Sequence, residues 1–398
     1  MTKLPPRVIV LDGDRVITGR GRDVKAPPGG DAPSVLSRLL GALGDNGQVL
    51  ITDAPGWDHL ADPDLSGEWT VSGTEAWHTA RRGNDRLRIG KIPLIQTDND
   101  PLMAGCPDLL SVAIRHQDYA NLTGVPFYAD GGTTSLLLLD ETVSVRGRDV
   151  LRKWIDDQAP PCREDGWPGG SAWPAGGIGG EAHARAGLVV DRNAQYLAGV
   201  PGVYLPMDAP CKTGPIPYDP RRAGLWRIVT PDNPEPRLPH PCGVYAQPGE
   251  ERWAAHPTLD LLCELGVTPR VLDSLTLPRE RCRRIMDKWY AALRDARAEL
   301  LGATDADSAA LSQAIKDTYS RGISHLDMSP KRRWYRHDWR LILNSSARTR
   351  MWRDLWQAGI TYKVWPLRVS TDTAAYASAS AGAALKIGSR IGEWKVRG

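Results

Sequence analysis

The chain is predicted to be a mixed α+β and α/β protein, and three observations carry that expectation. Its first 150 residues read as short β-branched runs interleaved with helical stretches. A Pro/Gly-rich segment from Ala159 to Gly180 then breaks the apolar pattern. Beyond it, strand-like runs alternate with long helices. At 398 residues the chain is long enough for two or three domains with sizeable buried scaffolds.

Arg7 to Leu11 and Arg15 to Thr18 are strand-like and joined by Asp12-Gly13-Asp14, which predicts a hairpin. Asp31 or Ser34 caps a helix over Val35 to Leu43, and Gln48 to Asp53 follows as a buried strand. Hairpin, helix and strand in that order suit a sheet of the RNase H kind. Asp12, Asp14 and Asp53 are then either the remains of a metal-dependent exonuclease site or plain turn residues. The lack of an Asp-x-Glu pair favours the turn, so any exonuclease is degenerate and no proofreading is expected. Glu68 to Leu94, with Trp69, Trp77 and Arg81-Arg82, reads as antiparallel strands with a basic edge. Asp108 to Leu122 is an amphipathic helix ending near Gly124, with Arg115, His116 and Asp118 expected on its solvated face. Ser135 to Asp140 is a further buried element.

After the Pro/Gly-rich segment, Leu188 to Val190 suits a strand covered on both faces. It ends at Asp191, and Ala194 to Leu197 turns helical with Tyr196 aimed back over that carboxylate. One Asp at a strand end is ordinarily a cap for the next helix. The rest of the chain argues for more. Leu225 to Val229 and Arg270 to Leu275 are strands, with a helix over Thr258 to Gly266 between them. Pro278 opens a helix over Arg279 to Leu301, which pairs with Ser308 to Tyr319 as an antiparallel hairpin. The cations Arg283, Arg284, Lys288, Arg294, Arg297 and Lys316 are expected along one face of that hairpin. Lys331 to Arg340 interleaves cations with aromatics, the local pattern of a nucleic-acid surface: Lys331, Arg332, Arg333, Arg336 and Arg340 for phosphates, Trp334 for stacking. A helix over Trp339 to Ala358 leads to Leu367 to Tyr376, a strand-turn-strand that carries Asp372. Two carboxylates from separate strands, beside cationic helices, meet the needs of two-metal phosphoryl transfer, and are expected within about 5 Å of each other.

In this order the segments resemble the palm and fingers of family B DNA polymerases, most closely the small protein-primed type, over residues 185–398. Asp191-Arg192-Asn193-Ala194-Gln195-Tyr196-Leu197 is similar to the motif Asp-x-x-Ser-Leu-Tyr-Pro. Leu311 to Gly322 resembles Lys-x3-Asn-Ser-x-Tyr-Gly, Ser370-Thr371-Asp372-Thr373 resembles Asp-Thr-Asp-Ser, and Ile391 to Lys395 resembles the Gly-x-Trp sequence that follows it. The resemblance implies an exonuclease-like domain over 1–158, a linker over 159–182, palm over 183–277 and 323–398, and helical-hairpin fingers over 278–322. It implies two Mg²⁺ or Mn²⁺ ions on Asp191 and Asp372, Tyr196 under the nucleotide sugar, and Lys316, Tyr319, Arg294 and Arg297 at the dNTP. Aligned on Tyr319, the motif's Lys falls on Ser312, with Lys316 one turn along. The third motif's first Asp is Ser370, and no thumb is recognisable. The implied activity is DNA-directed nucleotidyl transfer, with DNA, dNTPs and a terminal or priming protein of a linear bacterial replicon as partners. The alternative is a polymerase-derived protein with weakened turnover that binds DNA ends or single strands.

Composition narrows the rest. The net charge of +3 is nearly balanced, so only local clusters speak for phosphate, and these are mostly Arg, the bidentate cation. Six scattered cysteines without a CxxC pair read as free thiols in a reducing compartment, not zinc ligands or disulfides. No apolar run reaches the roughly 20 residues of a membrane span, and the N-terminus lacks a signal-peptide core, so a cytoplasmic protein is expected.

Overall fold

The computed structural model describes residues 6–25, 32–43, 47–54, 57, 60, 69–74, 76–83, 85–95, 100–143, 173–174, 186–208, 210–243, 246–328 and 334–397. The chain divides into two compact units: residues 1–142 with 291–322, and residues 143–290 with 323–398. The Pro/Gly-rich segment lies outside the described residues except for 173–174.

The first unit is built on a seven-stranded mixed sheet. Strands β1 (Val8–Asp12) and β2 (Arg15–Thr18) form the expected hairpin, with Gly13 at φ +57° in its turn. β3 (Asp23–Lys25) extends it. Helix α1 (Ala32–Leu43) then leads to β4 (Gly47–Ile51), which runs parallel to β1. β5 (Thr70–Gly73), β6 (Trp77–Arg82) and β7 (Asp85–Lys91) complete the order β3-β2-β1-β4-β7-β6-β5, with β7 parallel to β4. Strand periodicity of two explains how both faces are covered. Ile9, Leu11, Val49 and Ile51 pack with Val35 and Leu36 of α1. Val8, Val10 and Leu50 pack with Val112, Ala113 and Ala120 of helix α2 (Leu109–Thr123) on the other face. Asp108 caps α2 by accepting from the Ser111 amide at 2.7 Å, and Gly124 ends it at φ +80°. Helix α3 (Gly131–Thr142) accounts for the apolar run around Ser135 to Asp140.

The expected solvated face of α2 is a correction: Arg115 and His116 are buried. Residues 291–322 pack on this helix. Arg115 Nε donates to Asp307 at 2.6 Å and its Nη1 to the Ala104 carbonyl at 2.7 Å, while Tyr119 and Thr318 share a 2.7 Å hydroxyl bond. His116 Nε2 sits 3.3 Å from Asp100 Oδ2, both fully enclosed. Burial pushes the Asp100 carboxyl up to about 7 and the His116 imidazole down to about 3.

The second unit holds a five-stranded antiparallel sheet, ordered β18-β9-β17-β16-β8. Its strands are β8 (Trp173–Pro174), β9 (Leu188–Arg192), β16 (Arg368–Ser370), β17 (Thr373–Tyr376) and β18 (Trp394–Val396). After β9 come a short helix α4 (Gln195–Ala198), β10 (Leu205–Pro206), β11 (Cys211–Lys212), β12 (Arg222–Val229), β13 (Glu251–Ala255), helix α5 (His256–Glu264) and β14 (Arg270–Pro278). β11, β14, β12 and β13 make a second sheet.

The helix expected from Arg279 begins later. β14 stays paired with β12 through Pro278, opposite Arg222; a single 3-10 turn over Arg279–Arg281 follows, β15 (Cys282–Arg283) pairs with β10, and helix α6 (Asp287–Glu299) starts only after it. Helix α7 (Ala306–His325) follows, and then the long helix α8 (His337–Tyr362). Met351, Trp352, Leu355 and Ala358 of α8 pack with Leu188, Val190, Ala374, Tyr376 and Trp394 of the five-stranded sheet, so one face of β9 is anchored to a rigid helix. Among the described residues no helix is long and apolar enough to cross a membrane.

Candidate active site

β9 lies between β17 and β18, and the register sets Asp191 opposite Thr373 on one side and Lys395 on the other. The hairpin of β16 and β17 closes through Ser370 and Thr373, which leaves Thr371 and Asp372 as its two turn residues. Asp372 thereby comes beside Asp191. The Arg192 amide donates to the Asp372 carbonyl at 2.6 Å. Thr373 Oγ1 donates to Asp191 Oδ1 at 2.7 Å and lies 3.4 Å from Asp372 Oδ1, so one hydroxyl touches both carboxylates. Burial first, and then the charge of Asp191, raise the Asp372 carboxyl above its ordinary range. Asp191 is buried and also receives Arg397 Nε on Oδ2 at 2.6 Å. Four described non-glycine residues have positive φ. Two of them flank these acids, Ala194 at +48° and Thr371 at +29°, a concentration of backbone strain typical of working sites.

The segment that carries Tyr196 is anchored to α8. Gln195 Nε2 donates to the Ala347 carbonyl at 2.8 Å, and Ser346 Oγ to the Gly199 carbonyl at 2.7 Å. A Cβ at Gly199 would stand 2.7 Å from the Ala347 backbone, so this approach needs glycine. Burial, and next the Asp372 carboxylate, raise the Tyr196 phenol, while the Arg340 guanidinium opposes them. Arg340 lies on α8, in the unit that carries the acids. It also bonds Asp327, whose other oxygen lies 2.9 Å from His337 Nδ1.

Among the described residues no three His, Cys, Asp or Glu side chains are grouped as a metal cage, so Asp12, Asp14 and Asp53 form no such cluster. Asp12 instead accepts from Thr52 at 2.8 Å beside its turn. The Asp191 and Asp372 pair has the ligand chemistry of hard divalent ions such as Mg²⁺ or Mn²⁺, with Asp191 Oδ2 taken by Arg397. Its side-chain donors are all oxygen, and the mutual repulsion that raises Asp372 is what a divalent cation relieves.

No family model and no curated protein matches the chain. Among solved structures it is similar to Phi29 DNA polymerase. The orthorhombic crystal form aligns at TM-score 0.49 and 10% identity, over 98% of this chain and 84% of that one. The post-translocation complex with primer-template DNA aligns at 0.47 and 10% over the same shares. The ternary complex with primer-template DNA and incoming nucleotide aligns at 0.46 and 9%.

The other expected site residues fall into two groups. Lys316, exposed on α7, belongs to the first unit, as do Arg294, which bonds Asp295, and Arg297, which donates to the Tyr319 hydroxyl at 3.3 Å. Lys331, Arg332 and Arg333 lie outside the described residues.

Trp334 and Arg336 overturn the expectation of an exposed nucleic-acid surface at their positions: both are buried. Arg336 forks onto Asp338 at 2.9 and 2.6 Å, donates to the Pro206 carbonyl at 2.6 Å, and lies over the Trp339 ring. A guanidinium so enclosed ties α8 to β10 and has no edge left for DNA. Arg336→Ala is expected to destabilise the protein by about 3–5 kcal/mol, because it strands the Asp338 charge. A urea melt reads this as a lowered midpoint, and the salt dependence of any DNA binding stays as in the wild type.

Arg340 and Arg397 were the residues whose place at the site was hidden. For Arg340 a signal existed: Arg340-Leu341-Ile342-Leu343-Asn344-Ser345 keeps the Lys-x3-Asn-Ser spacing with Arg in the place of Lys. Arg397 carried none, since its position depends on β18 pairing with β9.

Proposed function

We propose that the chain is a DNA polymerase-like nucleotidyltransferase. The observation that carries this reading is the shared hydroxyl of Thr373 between Asp191 and Asp372, which brings two acids from neighbouring strands to one point. In this reading the two carboxylates hold a pair of Mg²⁺ or Mn²⁺ ions, which supply charge stabilisation at the transferring phosphorus. Tyr196 supports the sugar of the incoming nucleotide from the face opposite the acids. Arg340 takes the triphosphate, a role for which its planar fork is suited, in place of the motif's Lys. The attacking group is a primer 3′-hydroxyl or a protein hydroxyl, and the partners are DNA, dNTPs and a terminal or priming protein at the ends of a linear replicon.

The Arg397 contact favours a second reading, because a guanidinium already neutralises the Asp191 oxygen that a metal ion would need. In that reading the scaffold binds DNA ends or single strands without turnover. Extension of a labelled primed template with dNTPs and Mn²⁺ separates the two. Enzyme activity predicts elongated product that Asp191→Asn loses. Retained DNA binding with no product, in wild type and in Arg397→Ala alike, leaves only the binding protein.

A further inference from the structure

A second cleft in the same unit, of about 200 Å³, is lined by four arginines: Arg222 of β12, Arg279 after β14, and Arg350 and Arg353 one turn apart on α8. Tyr204 forms one wall, and Asp260 is the one carboxylate in the lining. We propose that this cleft is a phosphate-binding site, distinct from the paired carboxylates and independent of the polymerase reading.

Charge, geometry and size all point the same way. Asp260 accepts from the Tyr218 hydroxyl at 2.6 Å, and its single negative charge leaves the four arginines of the lining in excess. Arg353 forks onto Glu264 at 2.7 and 2.8 Å, which fixes its guanidinium at the cleft rim. Arg350 is pinned by the Pro201 carbonyl, one turn from Arg353 on α8. Arg279 lies over the Tyr204 ring, 3.9 Å from its centroid. Stacking uses the face of the guanidinium and leaves its N–H edges directed in plane, the geometry in which Arg grips phosphate oxygens. Arg222 is oriented through Nε on Thr276 Oγ1 at 2.9 Å. Pockets for drug-sized ligands start near 300 Å³. This smaller cleft suits one or two phosphoryl groups, from a nucleic-acid backbone or a free phosphate.

The test is calorimetric titration of the full chain with pyrophosphate in EDTA, so that the carboxylate pair holds no metal, followed by competition with a short fluorescent oligothymidylate. Saturable pyrophosphate binding is expected, weakened about tenfold or more by Arg279→Ala and by Arg353→Ala, the loss of one charge-assisted contact each. Arg270→Ala, which removes the same charge at an exposed site outside the cleft, should bind within about twofold of wild type. Displacement of the oligonucleotide by pyrophosphate identifies the occupant as a nucleic-acid phosphate, and independent binding identifies it as a free phosphate. Pyrophosphate that fails to saturate, or that binds both cleft variants as tightly as wild type, overturns the proposal. Should Arg353→Ala lower the melting temperature, Arg279→Ala decides, since its side chain leaves from a 3-10 turn and not from α8.

Discussion

Asp372→Asn is expected to abolish primer extension, by about a thousandfold or more, and at the same time to raise the melting temperature at neutral pH. The two effects share one cause. Burial and the neighbouring Asp191 raise the Asp372 carboxyl above its usual 3.8, so in the window between those two values the folded protein binds more protons at this position than the unfolded chain. Stability from that bound proton is present at low pH and is lost as pH rises through the folded pKa. Once pH exceeds that raised pKa, the wild type carries the Asp372 carboxylate set against Asp191. Asn keeps the shape and removes the repulsion. Thermal melts across pH should show the variant's advantage vanish below 3.8, where Asp372 is protonated in both states. Wild-type extension should rise as pH climbs above the ordinary carboxylate range. A variant that is less stable at neutral pH, or that still extends primers, counts against the paired-carboxylate site.

Arg340→Ala should lower kcat/KM for dNTP incorporation about 100-fold, while Lys316→Ala leaves it within about twofold. Lys316 lies one turn along from the position of the motif's Lys, whereas Arg340 keeps the Lys-x3-Asn-Ser spacing itself. Arg340 lies in the unit that carries the acids. Arg340→Lys, which keeps the charge and loses the fork, should recover part of the activity. Single-turnover incorporation at varied dNTP concentration reads all three variants. The opposite ranking, with Lys316→Ala the more damaged, would return the role to α7.

Much of the fold was legible because local chemistry and final structure agree. Asp12-Gly13-Asp14 makes its hairpin turn, Asp108 and Gly124 bound α2, and alternation in Val8 to Leu11 sorts two packing faces. The late start of α6 was not legible, since strand pairing at Pro278 and at Cys282–Arg283 confines the helical reading of Arg279 to a single 3-10 turn. Within Lys331 to Arg340, Trp334 and Arg336 misled for a related reason. A basic, aromatic-rich run looks the same whether its arginines meet phosphate or, as Arg336 does, a buried aspartate and a backbone carbonyl.

For the candidate site, residue types and order sufficed to select Asp191, Tyr196 and Asp372, because strand ends and tight turns are local features that place side chains within a few residues. Which cation attends them was decided only by packing. α8 backs the Tyr196 segment, through Gly199 and Ala347. Arg397 reaches Asp191 only because β18 pairs with β9, some 200 residues away along the chain. Contacts of that range arise from strand pairing and helix docking, whose partners no short stretch of sequence names.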